Sequence, residues 1–452
     1  MQTLPPVDVA ALIDARPVGW PQIGIIALCG LVVVLDGLDL QGIGLAAPLM
    51  AAALHIPPQA LGWVFSAALA GLAIGAFVLG PVADRIGRKS VLIGSTLCFG
   101  VFSICTALVG DFNQLLICRF LTGLGLGGAM PSFISLTSEY APKRLRATIV
   151  ALLWAGFPLG GVIGGLVASR IIPEWGWQSI FWAGGVPPIL LAALLWLALP
   201  ESIGFLVAGG ASPHKIAALL ARLFPGIDIG PDRQFVLGEE RATGVPIGQL
   251  FGSGRAIGTT FLWISFFIAF MMLVTNSAWV PSLLRPQGIE VAQAAFAMAS
   301  FNFGSLIGTS LAGWLVTRFG APSILPAVFV GAAASFSLIG YAVPSAALVT
   351  LLEALFGLFL GCGSSGLIAL AALYYPTAIR STGVGWAMGM GRFGSFLGPL
   401  VVGTLVAAHF ANTSIFLAIG LPALIAAITS ALIRQGRSAA ATPSASAVAF
   451  ER

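Results

Sequence analysis

Twelve stretches of this chain are apolar over about the length that crosses a bilayer, roughly 20 residues. They lie at 22–50, 59–82, 90–109, 112–138, 145–170, 178–199, 256–283, 292–317, 321–343, 346–373, 382–407 and 412–433, and are called spans 1 to 12. In lipid a chain must satisfy its own backbone hydrogen bonds, so long apolar runs of this kind are helices. Only 8% of the residues are charged and 58% are hydrophobic, against roughly 25% charged in a soluble domain. The expected fold class is an all-α membrane protein with twelve transmembrane helices. The one substantial polar insert, 200–255, separates six spans from six. The expected division is therefore an N-terminal half (1–199), a cytoplasmic linker (200–255), a C-terminal half (256–435) and a low-complexity tail (436–452) containing "SAAATPSASAVAF", a composition that favours disorder.

The charges orient the spans. With both termini inside, 17 of the 21 Lys and Arg fall in inner loops and tails, Arg170 and Arg285 fall outside, and Arg119 and Arg392 fall within spans. This is the positive-inside bias, and it accounts for the net charge of +5 without a nucleic-acid partner. Residues 1–20 contain Asp8, Asp14 and Pro17 and lack the basic start and short apolar core of a secretory signal, so the N-terminus is expected in the cytoplasm. The five cysteines, Cys29, Cys98, Cys105, Cys118 and Cys362, lie inside apolar spans without metal-ligand spacing. Neither a metal site nor a cofactor is expected.

The two halves repeat one another. "GPVADRIGRKS" (80–90) matches "GWLVTRFGAPS" (313–323), "LTGLGLGG" (121–128) matches "LFGLFLGC" (355–362), "RAT" (146–148) matches "RST" (380–382), and Pro48 falls on Pro281, all at offsets of 233 or 234. Two parallel six-helix repeats place a substrate site near the midplane between them, where rocking alternates access. The pattern is that of a carrier. Walker loops, metal clusters and nucleophile elbows are absent from the sequence, so it is not expected to be an enzyme or an ATP-driven pump.

"GPVADRIGRK" between spans 2 and 3 resembles the signature loop of the major facilitator superfamily, and with the twelve spans and the duplication the resemblance covers essentially the whole chain. "LDGLDLQGIGLAAPLM" in span 1, "WVPSLL" closing span 7 and "PTAIRSTGVGWAMGMGRFGSFLGPL" around span 11 resemble the aromatic acid:proton symporter branch. The resemblance implies proton-coupled import of a small aromatic carboxylate of the benzoate or hydroxybenzoate class. It also implies a multi-pass protein of a bacterial-type inner membrane, working as a monomer in the lipid bilayer.

Five ionisable residues sit at membrane depth: Asp36, Asp39, Arg119, Glu353 and Arg392. At roughly 2.5–3.5 kcal/mol each on an insertion scale, an unpaired set costs about 12–17 kcal/mol, so they must pair, neutralise or face water. Asp36 and Asp39, at i and i+3, share a helix face, and two like charges that close in a low dielectric disfavour double ionisation. One of them is a natural proton carrier, and Asp39, deeper along the span, is the first choice; a structural ion pair of either with Arg119 is the alternative. The repeat offset sets Glu353 at the position equivalent to Arg119, and we count Glu353 with the proton-coupling groups. Arg119 is expected to hold a span 1 aspartate or the substrate anion. Arg392, in the glycine-rich "GMGRFGSFLGP", is expected to clamp the substrate carboxylate bidentately, or else to partner Glu353.

In the loop, Gly80, Asp84, Arg85, Gly87 and Arg88 with Lys89 resemble a cytoplasmic latch. The resemblance implies that Asp84 approaches the N-terminus of span 11, whose dipole favours a negative charge. Arg380 is its expected neighbour, and Glu139 and Arg146 extend the network. A solvated topogenic loop explains Arg88 and Lys89 as well, but not Asp84 or the glycines. His55, His214 and His409 fall in loops or at helix ends and are unsuited to a proton relay. Trp175, Trp177 and Trp182 read as an interfacial belt. Among aromatics able to stack on a ring are Trp154, Phe157, Trp279, Phe303 and Trp386, most of which must be packing. Competing readings are a carrier of muconate, a dicarboxylate or a sugar, and a drug:proton antiporter, for which "GFPLGGVIGG" in span 5 is an imperfect motif. A sensor would need an output domain, and 200–255 is too short for one.

Overall fold

The structure, a computed structural model, describes residues 7–224, 233–236, 247–252, 254–376 and 379–433. Arg241, Arg434, Arg437, Arg452 and the tail expected at 436–452 lie outside the described residues. Among the described residues twelve helices are long and apolar enough to cross a membrane. They run Trp20–Ala53, Leu61–Ile86, Arg88–Ala107, Phe112–Tyr140, Lys143–Trp175 and Gln178–Ala198 in the first half. In the second half they run Ala256–Leu284, Val291–Phe319, Ala321–Ala342, Ala346–Tyr374, Arg380–Ala407, and Asn412–Gly420 continued by Pro422–Leu432. Span 12 is thus two helices joined at Leu421, because Pro422 brings no N–H to continue the ladder. Span 5 extends further than its expected end at 170, through Pro173 to Trp175.

The duplication recurs in local geometry. Gly87 ends span 2 and opens span 3 at φ +101°, and Gly320, 233 residues later, does the same for spans 8 and 9 at φ +82°; only glycine adopts such a backbone readily. Asp111 caps span 4 by accepting from the amide of Gln114 at 2.9 Å, and Ser345 caps span 10 by accepting from Leu348 at 3.4 Å. Packing repeats as well. A Cβ at Gly71, Gly75, Gly123 or Gly127 would overlap the carbonyls of Phe120, Leu124, Ala68 or Leu72, and one at Gly304, Gly308, Gly357 or Gly361 would overlap those of Ala354, Leu358, Phe301 or Ser305. These are small-xxx-small faces, which substitute close van der Waals approach for the hydrophobic drive that lipid removes. They fix span 2 on span 4 and span 8 on span 10. Gly160 against Val34 and Gly394 against Phe267 fix spans 1–5 and 7–11 in the same way.

Between the halves, the close contacts lie toward the end away from the termini. Gly44 packs on the Ser277 carbonyl, Gly62 on Pro399, and Gly165 on Ala295 and Ala299. Side-chain hydrogen bonds cross the seam from Asn302 to Gln41 (2.6 Å) and from Ser66 to the carbonyl of Phe396 (2.9 Å). The molecule is therefore sealed at that end, and a cavity lies beneath the seal.

The stretch after span 6 packs under the first half. Val7–Asp8 pairs in parallel with Phe235–Val236, while Ile216, Leu220 and Leu223 of the helix Pro213–Leu223 share an apolar cluster with Val9 and Ile13. Asp14 accepts from the amide of Lys143 at the start of span 5.

Candidate functional site

The central cavity has a volume of about 130 Å³. Its charged lining is Asp36 from the first half and Arg392 from the second; Trp154, Phe157 and Phe270 supply aromatic wall. Arg392 Nη2 lies 3.3 Å from Met130 Sδ across the seam. The guanidinium is carried by the part of span 11 where Gly391 packs on the Phe270 ring, Gly394 on the Phe267 carbonyl and Gly398 on Thr275, which presses that helix onto span 7. Asp36 is 2% exposed, and its Oδ1 has no hydrogen-bond partner. Asp36 and Arg392 line the same cavity, and no ion pair joins them.

Asp39 faces elsewhere. Its Oδ2 accepts from Arg119 Nη2 at 3.0 Å and its Oδ1 from Ser103 at 2.6 Å, and Arg119 lies over the Phe181 ring at 5.7 Å. Both residues are buried inside the first half, away from the cavity lining. Three residues advance a helix by 300°, so i and i+3 differ by about 60° in direction. That suffices to send Asp36 to the cavity and Asp39 to spans 3 and 4. Asp39, the first choice for the titrating member, is thus held by Arg119 and Ser103 away from the cavity; Arg119 spends Nη2 on Asp39, while its Nε and Nη1 are buried without a partner.

Glu353 is fully buried and does not line the cavity. It accepts from Asn276 Nδ2 at 3.0 Å on Oε2, while its Oε1 and the Asn276 Oδ1 lack partners. The alternative pairing of Glu353 with Arg392 does not occur.

The loop also departs from expectation. Asp84 has its ion pair with Arg88 in the next turn, at 3.4 Å, and is 59% exposed; it does not reach span 11. Arg88 also pairs with Glu139 and donates to Ser202 at 3.3 Å. Glu139 further accepts from Ser202 (2.5 Å) and the amide of Gly204 (3.2 Å). Glu201 accepts from the amide of Lys89 at 3.0 Å, and its carboxylate fills the space a Cβ at Gly87 would need. The loop is thus tied to the segment after span 6, within its own half. Gly80 meets only Pro131, and Arg85 is exposed. Arg146 stands in the first turn of span 5, and Arg380, first residue of span 11, donates to the Tyr375 carbonyl at 3.4 Å. The seam is closed at the other end of the molecule, which is why the latch partners stand apart.

Of the aromatic candidates, Trp154 and Phe157 line the cavity. Trp279 is buried in the sealed end, donating to the Pro399 carbonyl at 3.0 Å, while Phe303 and Trp386 face outward, Trp386 stacked on Trp263. Trp177 is core, edge-on to Phe181, whereas Trp175 and Trp182 are exposed as a belt requires. Gln41, Ser103, Asn276, Asn302, Glu201 and Ser202 were not singled out in the sequence, although Gln41 stands two residues after Asp39.

A family model for the Major Facilitator Superfamily matches residues 29–287 and 262–449. The chain is 36% identical over 432 residues to the 4-hydroxybenzoate transporter PcaK of Pseudomonas aeruginosa, covering 95% of this chain and 96% of that one. It is 33% identical to the benzoate transport protein of Acinetobacter baylyi (95% and 93% covered) and 36% identical to the gallate transporter of Pseudomonas putida (94% and 94%). In fold it is similar to a D-xylose-proton symporter (TM-score 0.71, 20% identity, 90% of this chain and 97% of that one) and to an inward-facing, occupied bacterial homologue of the lysosomal transporter Spinster (TM-score 0.70, 16% identity, 90% and 96%). The chain belongs to the Major Facilitator Superfamily of membrane transporters, and within it groups with relatives named for aromatic acids.

Proposed function

We propose that this protein imports a small aromatic monocarboxylate, of the benzoate or hydroxybenzoate class, together with protons by alternating access. The observation that carries the reading is the cavity between the halves, where one guanidinium, Arg392, and one free carboxyl, Asp36, stand among aromatic side chains. A ring stacks on Trp154 and Phe157, and the Arg392 fork takes the carboxylate. Charge arithmetic supports proton coupling. Ionised Asp36 and Arg392 cancel, an arriving anion leaves the cavity one negative charge in excess, and a proton on Asp36 restores the balance, a reciprocal coupling of the two binding free energies.

Asp39 and Arg119 are then a buried tie that positions span 1, and Glu353 with Asn276 ties span 7 to span 10. Among the described residues Arg392 is the one cation lining the cavity, which disfavours a dicarboxylate, which would need a second, and a cationic drug, which Arg392 would repel. The basic loops orient both termini, the 80–90 loop and the 200–255 linker to the cytoplasm of a bacterial inner membrane. The state described is then inward-facing, and the loop ties of Arg88, Glu139 and Glu201 hold the linker to the first half. A monomer suffices, since the cavity is completed within one chain.

The test is uptake by proteoliposomes of labelled benzoate, hydroxybenzoates, phenylpropionates and muconate, with and without an inward proton gradient. Gradient-dependent accumulation of an aromatic acid is expected. Failure of every aromatic acid, with transport of a dicarboxylate or a cationic drug instead, would overturn the reading.

A further inference from the structure

Apart from Ile368, the cavity wall contributed by spans 8 and 10 is made of hydroxyls and one amide: Asn302, Ser305 and Thr309 on span 8, Ser364 and Ser365 on span 10. A serine or threonine on a membrane helix ordinarily spends its hydroxyl on a carbonyl of the preceding turn. Its neighbours on span 8 do so, Ser300 to Phe296 at 3.0 Å and Ser310 to Leu306 at 2.8 Å. Within the cavity wall Ser364 and Thr309 both donate to the Gly361 carbonyl, at 3.2 and 3.4 Å.

Ser305 and Ser365 depart from this habit. Neither has a hydrogen-bond partner among the described residues, and neither oxygen is sealed from the cavity. Asn302 uses its Nδ2 on Gln41 and on the Met298 carbonyl (2.8 Å), which leaves its Oδ1 acceptor without a partner on the same wall. Two free hydroxyls and a free amide oxygen, with no charge among them, match a neutral group that both donates and accepts a hydrogen bond.

We infer that Ser305, Ser365 and Asn302 form a subsite for a ring hydroxyl, so that the transported acid is a hydroxylated aromatic carboxylate in preference to the unsubstituted one. The inference rests on the reading that the cavity holds an aromatic carboxylate on Arg392. A phenolic O–H donates to Asn302 Oδ1 and accepts from Ser305, one turn along the same helix, while Ser365, about a turn farther on, serves a hydroxyl at a different ring position. An unsubstituted ring covers the same groups and displaces the water they would otherwise hold without replacing its hydrogen bonds.

The experiment is competition against labelled 4-hydroxybenzoate uptake in proteoliposomes by benzoate, 3-hydroxybenzoate, 4-hydroxybenzoate and 3,4-dihydroxybenzoate, with uptake of labelled benzoate measured in parallel. In the wild type at least one hydroxylated acid is expected to half-saturate at about tenfold lower concentration than benzoate, the ratio that one net hydrogen bond of roughly 1.4 kcal/mol supplies. In the S305A/S365A double variant that ratio is expected to fall toward one. Ser310→Ala, whose hydroxyl is satisfied by its own helix, keeps the wild-type ratio. Benzoate binding as well as or better than every hydroxylated acid in the wild type overturns the inference without recourse to any variant. So does a double variant that weakens all the acids alike. Transport of benzoate without hydroxyl preference removes the subsite alone, whereas transport of no aromatic acid removes the aromatic-acid reading and the subsite with it.

Discussion

Asn302 of span 8 donates its side-chain amide to Gln41 of span 1 at 2.6 Å, joining the two halves directly beneath the sealed end of the molecule. A Cβ at Gly161 of span 5 would run into both side chains, so three helices meet at this bond. Asn302 lines the central cavity, while Gln41 lines a smaller one of about 30 Å³ farther toward the sealed end. The two cavities share Leu40, Phe157, Leu273 and Val274. The bond therefore stands in the septum between them, and it must break when the halves part at that end.

Gln41→Leu keeps the volume and removes the inter-half bond, a loss of about 0.5–1.5 kcal/mol. That is enough to change the population of the opened end several-fold, up to about tenfold. A cysteine at Ser277, which lines the smaller cavity, reports the opening if the five native cysteines are first replaced. Labelling by a membrane-impermeant maleimide from outside is expected to accelerate several-fold in Gln41→Leu. An unchanged rate would remove the bond from the gate.

The Asp39–Arg119 pair makes a stability prediction. Both side chains are essentially unexposed, and removing one partner leaves a charge in the protein interior, at a cost of about 3–5 kcal/mol. Arg119→Leu should lower the melting temperature markedly in detergent, and Asp39→Leu likewise. The double variant buries no charge and should recover much of the loss. Additive losses would show that the pair is not an isolated tie.

The helices, their number and the duplication were readable because apolar length and a 233–234 offset are one-dimensional signals. Gly87 with Gly320, and Asp111 with Ser345, then recur as matched caps. The roles of the two aspartates were not readable. Their spacing says that they are neighbours, but which one meets the cavity depends on how span 1 is rotated. That rotation is set by Gly37 against the Phe157 carbonyl and Gly160 against that of Val34. The ties of the loop were hidden for a related reason. The helix-end position of Asp84 matches a latch, but the partners of Arg88 and Lys89 come from Glu139, Glu201 and Ser202, 51 to 114 residues away in sequence. Polar residues such as Asn302 and Gln41 carry no distinguishing signal until the halves are docked.

Asp36→Asn separates proton coupling from binding. The amide preserves shape but holds no titrating proton, so gradient-driven accumulation should be lost while counterflow of preloaded substrate persists. Asp39→Asn should instead show a lowered melting temperature, since its acceptor atoms serve Arg119 and Ser103. Undiminished accumulation by Asp36→Asn would exclude Asp36 as the proton site.

Arg392→Lys tests the substrate anchor. Lysine keeps the charge but replaces the planar fork with a single ammonium on a shorter reach, so a carboxylate held by two parallel hydrogen bonds retains one at best. The loss of a charge-assisted hydrogen bond, about 1.5–3 kcal/mol, raises the half-saturation concentration by about tenfold or more. Stability should scarcely change, because the guanidinium's hydrogen bond within the protein is the one to the Met130 sulfur, a weak acceptor. Uptake kinetics and a melting curve on the same preparation therefore give two separable readouts. A weakened affinity at constant melting temperature identifies Arg392 as the substrate clamp. A fallen melting temperature at constant affinity would make it a structural residue and would leave the cavity without its anion-binding group.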